Sequence, residues 1–255
     1  KFASCDGCQL SLLDAEDELL TLCDGFDFVH FAEASSALHP GPYDIAVVEG
    51  SITTAEDADR IRKVRADARS LITIGACATA GGIQALRAWG DSEAWIRSIY
   101  PSPEYIHTLA TSTPIAAHVH VDFELRGCPI NVRQLIEVLT SFAAGRRPHI
   151  PQHAVCLDCK RRGTVCVMVA QSEPCLGPIT QAGCGALCPT YNRGCYGCFG
   201  PVNGANPSAL LGECHRQGHT AEHLVPLLRN FNAAAPIFRA ASETLANSTA
   251  GVASS

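Results

Sequence analysis

The stretch CLDCKRRGTVCVMVAQSEPCLGPITQAGCGALCPTYNRGCYGCFG, residues 156–200, holds eight cysteines: Cys156, Cys159, Cys166, Cys175, Cys184, Cys188, Cys195 and Cys198. Prolines and glycines interrupt it throughout, among them Pro174, Gly177, Pro178, Gly183, Gly185, Pro189, Gly194 and Gly197. No helical or alternating apolar period runs through it, so burial of an apolar face is not its main organiser. Eight thiolates are enough for two four-thiolate metal centres. Three holders can be weighed. Disulfides suit short secreted chains with thin cores, whereas this chain has 255 residues, 47% of them hydrophobic. Zinc could pair Cys156-x2-Cys159 with Cys195-x2-Cys198 as a ribbon, but that leaves the other four thiols without a role. Iron–sulfur clusters take four thiolates each, and Gly- and Pro-rich loops let backbone amides face the cluster sulfurs. Cys188-Pro189 also carries the Cys-Pro ending of ferredoxin-like cluster motifs. The cluster reading uses every cysteine in the stretch and is preferred.

Upstream of this stretch the pattern changes. Tyr43–Val48 (YDIAVV) is a buried-strand run that ends in Glu49-Gly50. Thr53 with Glu56 forms a capping-box pattern that starts a helix near Thr54, with Ala58, Ile61, Val64 and Ala68 on its buried face. Leu71–Ile74 (LITI) is a further strand, followed by Gly75-Ala76-Cys77. Val119–Leu125 reads as another, followed by Gly127-Cys128-Pro129, and Asn131 then leads a helix that stops near Gly145. Phe26–Ala32 is apolar and reads as a strand, and Lys1–Ser4 as the end of one whose start lies several residues upstream. Residues 5–9, CDGCQ, follow that strand end and open a helix. Strands alternating with helices predict an α/β domain with a parallel sheet. Its ligands collect at the carboxyl ends of the strands. Cys5, Cys8, Cys77 and Cys128 all fall there and make a third set of four thiols. Glu49 shares that edge and is a candidate proton relay, or a solvated loop residue. Cys77 and Cys128 could instead be ordinary buried cysteines.

Arg146-Arg147-Pro148 and Pro151 mark a linker, which divides the chain into a domain at 1–148 and a loop-rich domain at 149–255. Residues 200–220 read as loop, Thr220–Phe231 as a short helix, and the Ala/Ser/Thr-rich tail after Ala233 as a segment that frays or wraps a partner. Cys23 and Cys214 read as structural. His215 and His219 are weak metal candidates, and His118 and His120 share one side of a strand. The formal net charge is −6 with no basic run, which argues against nucleic-acid binding. No apolar run has the length of a membrane span. Neither a P-loop nor a G-x-G-x-x-G fingerprint occurs. Fourteen cysteines point to metal or redox chemistry in a reducing compartment.

CDGCQ (5–9), VVEG (47–50), GACATAGG (75–82), RGCPI (126–130), PCLGPITQAGC (174–184) and GCYGCFGP (194–201) together resemble the small subunit of nickel–iron hydrogenases. That resemblance implies a flavodoxin-like parallel-sheet domain followed by a small iron–sulfur domain. It implies a proximal 4Fe–4S cluster on Cys5, Cys8, Cys77 and Cys128, and a distal one on Cys156, Cys159, Cys166 and Cys175. Many members have His where Cys156 stands. The medial set would be Cys184, Cys195 and Cys198, with Cys188 available as a fourth ligand where membrane-associated members hold a 3Fe–4S cluster. Electrons from dihydrogen, split at the nickel–iron centre of a larger partner subunit, would run through these three clusters in either direction. CLDCKRRGTVCVMVA (156–170) is most similar to the cytoplasmic, NADP-linked or sulfhydrogenase branch. That branch implies diaphorase-type subunits carrying FAD and NAD(P). Two rival readings are a quinone-oxidoreductase subunit with a single cluster and a zinc-bound interaction module.

Overall fold

The computed structural model describes residues 1–250, with side chains to residue 248. Helices α1 (Gly7–Leu13) and α2 (Asp17–Cys23) lead into strand β1 (Tyr43–Glu49), helix α3 (Ala55–Asp67) and strand β2 (Ala68–Ile74). Helices α4 (Gly75–Ala80) and α5 (Ser92–Ile99), strand β3 (Phe123–Leu125) and helix α6 (Val132–Ala143) follow. The order β1-β2-β3 is parallel throughout, with Tyr43 opposite Ala68, Glu49 opposite Ile74, and Ile74 opposite Leu125. β2 is the central strand because Leu71, Ile72, Thr73 and Ile74 are buried on both faces, as a covered parallel strand requires. This is the α/β parallel-sheet arrangement that the alternating strands and helices predict, and it fits the flavodoxin-like domain that the resemblance implies.

The starts of α3 and α6 fall within one residue of where their capping residues place them. Thr54, not Thr53, caps α3, accepting from the Asp57 amide at 3.1 Å. Asn131 caps α6 and accepts from the Gln134 amide at 3.2 Å. The strand readings at the edges need correction. Phe26–Ala32 is not a strand: one antiparallel bridge joins His30 to Leu38, and the Phe28 ring makes tilted contacts with those of Phe26 and Phe31 instead. Aromatic runs satisfy packing as readily as pairing, so composition alone misleads there. Val119–Leu125 contributes only its last three residues to the sheet. His118 therefore lies off the strand, bonded to Thr113 Oγ1 at 2.7 Å. His120 faces Asp122 at 3.5 Å. Residues 1–4 make one bridge, Ala3 with Ser51.

Beyond residue 150 the chain runs through α7 (Val155–Arg161), α8 (Val167–Gln171), α9 (Leu187–Thr190), α10 (Pro207–Arg216), α11 (Ala221–Leu228) and α12 (Pro236–Ala250). α10 replaces a loop reading, and α12 replaces a tail expected to fray or wrap a partner. α10 starts at Asn206, whose side chain accepts from the Ala209 amide at 3.1 Å, with Pro207 at the first helical position, both ordinary start signals. α12 buries Phe238 and Leu245 in the core it shares with α11, so this helix packs within the chain. Residues 251–255 lie outside the described region. Among the described residues no helix is long and apolar enough to cross a membrane.

The two halves interlock. Asn131 Nδ2 donates to the Gly183 carbonyl at 2.9 Å and Arg126 Nη1 to that of Pro201 at 2.8 Å. Trp89 stacks under the guanidinium groups of Arg229 and Arg239, 4.7 and 5.7 Å from the ring centre. Ala80, from the first half, packs into the core of the second.

Candidate iron–sulfur sites

The first set forms at the carboxyl ends of the strands. Cys5 and Cys8 flank the start of α1, where Asp6 takes a left-handed turn (φ 65°). Cys77 sits in α4, directly after β2. Cys128 follows β3, and the Gly127 carbonyl accepts from the Ala76 amide at 2.8 Å, which ties the ends of β2 and β3 together. Burial raises the Cys8 thiol pKa, with further contributions from Glu49, Cys128 and Cys77. Burial also raises Cys128, to about 11, and Cys77 and Cys5 raise it further. Burial raises Cys77 too, with Cys5 and Glu49 adding to it. Four thiols therefore share one site, where their combined negative charge is disfavoured until a cationic centre neutralises it.

Two glycines keep this site open. Gly75 has φ +84°, and a Cβ there would stand 2.5 Å from Cys8 Sγ. Gly82 has φ +65°, and a Cβ there would stand 2.6 Å from Cys77 Sγ. Only glycine tolerates both the backbone angle and the approach.

Glu49 is 3% exposed. Its Oε1 accepts from the Cys8 amide at 3.1 Å and its Oε2 from Gln9 Nε2 at 2.8 Å. It is therefore a built-in partner of the first cysteine pair and not a solvated loop residue. Sequence reading missed Gln84, which lies 3.6–3.7 Å from Cys77 Sγ and donates to the Ala3 carbonyl at 2.9 Å. Its place seven residues after Cys77 carries no motif, and only the fold shows the contact.

The eight cysteines of 156–198 crowd together in two successive runs, 156–175 and 184–198, and their charges act within and between the runs, Cys184 raising Cys159 and Cys188 raising Cys175. Cys156 and Cys159 lie on α7, Cys166 caps α8, and Cys175 is buried beyond it. Burial raises Cys156 to about 11, and Cys175, Cys159 and Cys166 add to the rise. Gly177 fits between two of these sulfurs: a Cβ there would lie 3.3 Å from Cys175 Sγ and 3.5 Å from Cys156 Sγ. In the other run, burial raises Cys198 to about 12, with Cys184 and Cys188 adding to it. Burial raises Cys188 as well, with Cys184 next. Backbone amides point at the sulfurs, Gly177 to Cys175 at 3.4 Å and Gly197 to Cys195 at 3.5 Å. Asn232 Nδ2 pins the loop through the Gly197 and Cys198 carbonyls, at 2.9 and 3.0 Å.

The sets also meet one another. The Cys195 amide donates to Cys175 Sγ at 3.1 Å, and Cys128 lies close enough to Cys198 to raise its thiol pKa. The remaining candidates lie apart. His215 Nδ1 meets the His219 carbonyl at 2.8 Å, and His219 Nε2 meets the Ser172 carbonyl at 2.6 Å, so this pair fastens a helix end to a loop. Cys23 is exposed and Cys214 is buried in the second core. Among the described residues no three His, Cys, Asp or Glu side chains converge tightly enough for one metal ion. A lone zinc would hold its sulfurs about 3.8 Å apart. A polynuclear cluster bonds its ligands at separate corners and takes a wider spread. Crowded thiols, glycine cradles and inward amides all fit such clusters.

A parallel sheet with a thiol set at its strand ends, followed by an eight-cysteine helical and loop segment, defines a hydrogenase small-subunit class of α/β redox protein. The family model for the 20 Kd subunit of NADH ubiquinone oxidoreductase matches residues 5–142, and the chain belongs to that family, among its hydrogenase small subunits. The chain is 35% identical to sulfhydrogenase 2 subunit delta of Pyrococcus furiosus, over 79% of this chain and 84% of that one. It is 27% identical to a subunit of the F420-non-reducing hydrogenase (vhu) of Methanocaldococcus jannaschii, over 91% and 92%. A solved NAD+-reducing [NiFe]-hydrogenase in its H2-reduced state contains a chain 30% identical to this one, with a TM-score of 0.54, over 59% of this chain and 91% of that one.

Proposed function

We propose that this chain is the electron-transfer subunit of a nickel–iron hydrogenase with three 4Fe–4S clusters. The first would be held by Cys5, Cys8, Cys77 and Cys128, the second by Cys184, Cys188, Cys195 and Cys198, and the third by Cys156, Cys159, Cys166 and Cys175. The observation that carries this reading is contact between neighbouring sets: the Cys195 amide donates to Cys175 Sγ at 3.1 Å, and Cys128 stands close enough to Cys198 to raise its pKa. These contacts support a linear order of the three sets, with the 184–198 set between the others. When bound, the clusters supply reversible one-electron steps between dihydrogen chemistry in the large subunit and an acceptor subunit.

The chain's own residues do the positioning. Glu49 and Gln84 hold the first pair and Cys77, and inward amides favour the more reduced, more negative state. Burial of Cys8, Cys175 and Cys195 excludes water. Glu49 is the residue we assign to proton relay beside the first set. Residues 1–148 and 149–255 serve as the two domains. Two apolar clusters draw only on residues up to 150, and the third draws on 155–245 apart from Ala80. The likeness to a sulfhydrogenase and to a NAD+-reducing enzyme supports a cytoplasmic, NAD(P)-linked complex with FAD in a diaphorase-type subunit.

Iron and acid-labile sulfide analysis of the isolated complex tests this. Three clusters require about twelve irons in this chain. About four would return the single-cluster reading, and zinc without sulfide would remove the cluster reading altogether.

A further inference from the structure

The motifs that carry the resemblance end at residue 201, yet one side chain from beyond them reaches back into the cysteine loops. Asn232 lies between α11 and α12 and is 2% exposed. Its Nδ2 donates to the Gly197 carbonyl at 2.9 Å and to the Cys198 carbonyl at 3.0 Å. Both amide hydrogens are therefore engaged by two consecutive peptide units, one on either side of Cys198. Its Oδ1 is buried with no donor among the described residues, and a Cβ on Gly200 would stand 3.3 Å from it. A buried acceptor without a partner costs stability, so folding alone does not account for this side chain. Asn232 is itself held in place. The Ala235 amide donates to its carbonyl at 2.9 Å, and Phe238, at the start of α12, is buried in the second core.

Both of the held peptides are trans. In a trans peptide unit the C=O and the N–H point in opposite directions. Fixing the Gly197 carbonyl on Asn232 aims the Cys198 N–H away from it, and fixing the Cys198 carbonyl does the same for the Phe199 N–H. Neither N–H has an acceptor among the described residues. Phe199 is 5% exposed, and buried peptide N–H groups are nearly always paired. The preceding amide, of Gly197, already points at Cys195 Sγ at 3.5 Å. Gly197 has φ 74°, and successive N–H groups around a left-handed residue form a concave site for anions.

We propose that Asn232 is a positioning residue for the middle cluster: by holding the carbonyls of Gly197 and Cys198 it turns the Cys198 and Phe199 amides onto the cluster's sulfurs. The proposal rests on the assignment of Cys184, Cys188, Cys195 and Cys198 to that cluster. Hydrogen bonds to sulfur favour the reduced, more negative state and so raise a cluster's potential. The C-terminal helices thus act on the electron path through one side chain that ligates no iron.

The assembled complex, labelled with 15N in its phenylalanines only, provides the test. Phe199 is the one phenylalanine in residues 156–200. Pulsed electron paramagnetic resonance of the reduced wild type should show a 15N coupling to the middle cluster. Phe199→Leu keeps the peptide but not the label, so the coupling should vanish there and be assigned to the Phe199 amide. Asn232→Leu is close in size, uncharged and without a donor. It should lose the coupling and lower the midpoint potential of the middle cluster, while the other two clusters keep theirs. Asn232→Asp keeps the shape without the donor and should lose the coupling as well, which covers a failure of the leucine variant to assemble. Iron and sulfide for three clusters with no 15N coupling in the wild type overturns the proposal and leaves the cluster assignment standing. An unchanged coupling in either Asn232 variant also overturns it. A wild type short of about a third of the iron expected in this chain overturns the assignment, and the proposal with it.

Discussion

Gly75→Ala tests how tightly the first cysteine set is built. The backbone there has φ +84°, and the new Cβ would meet Cys8 Sγ at 2.5 Å. A left-handed angle costs an L-residue about 1–2 kcal/mol. Forcing a methyl group into a packed site costs about 1–3 kcal/mol more. Together they reach roughly 2–5 kcal/mol, less than the total stability of most domains. The chain should therefore still fold while Cys8 Sγ is driven out of the set. Gly204→Ala is the matched control, since Gly204 has φ +73° with nothing within 4 Å of a Cβ. It carries only the backbone cost of about 1–2 kcal/mol. In the assembled complex, G75A should lose roughly a third of the iron bound by this chain and most hydrogen-driven dye reduction. G204A should keep both. Full iron and full dye reduction in G75A would show that Cys8 is not held against Gly75 as a ligand.

Cys5→Ala should cut electron delivery to any acceptor at least 10-fold while hydrogen-isotope exchange in the large subunit persists, a split read by mass spectrometry alongside dye assays. Unimpaired dye reduction in an assembled complex would remove Cys5 from the first set. Cys188→Ala should convert the middle site to a three-iron cluster with a higher potential, visible as a new 3Fe–4S resonance in oxidised samples; the same resonance at full occupancy in the wild type would show that Cys188 is no ligand. Glu137 accepts from Arg146 at 2.7 and 2.9 Å, the His149 amide at 3.0 Å and Ser141 at 3.0 Å. These bonds, Arg146 first, hold its pKa at about 2, below the ordinary 4.5. A depressed carboxylate stabilises the fold above its unfolded pKa and loses that contribution as pH falls through the folded value. The stability gap between wild type and Glu137→Gln should therefore be present at pH 7 and close between about pH 4.5 and about pH 2. Denaturant titrations that find a gap independent of pH would refute it.

Local chemistry was legible in the chain. β-rich runs ending in Gly-Ala-Cys or Gly-Cys-Pro put Cys77 and Cys128 at strand ends, because a strand leaves its last residue at the sheet edge. Asn131 announced α6 by capping it, and Cys-x2-Cys spacing brought Cys5 with Cys8 and Cys156 with Cys159 within one turn. Where a local signal was weak, the reading failed. Phe26–Ala32 had strand composition but no partner strand, α10 hid behind Gly and Pro that read as loop, and α12 behind Ala, Ser and Thr that read as a fraying or partner-wrapping tail. α12 is a helix because Phe238 and Leu245 find an apolar surface on α11, a benefit that exists only after the chain has folded back.

Tertiary structure alone decided how the cysteines relate to one another. Spacing could not show that Glu49 accepts from the Cys8 amide forty-one residues away, nor that Gln84 reaches Cys77 and Ala3 at once. It could not show that the Cys195 amide points at Cys175, or that Cys128 lies beside Cys198. Sequence determines which atoms can bind a metal, since donor chemistry belongs to the residue. Which donors share a site, and which site lies next to which, depends on contacts between distant segments, and those exist only in the folded chain.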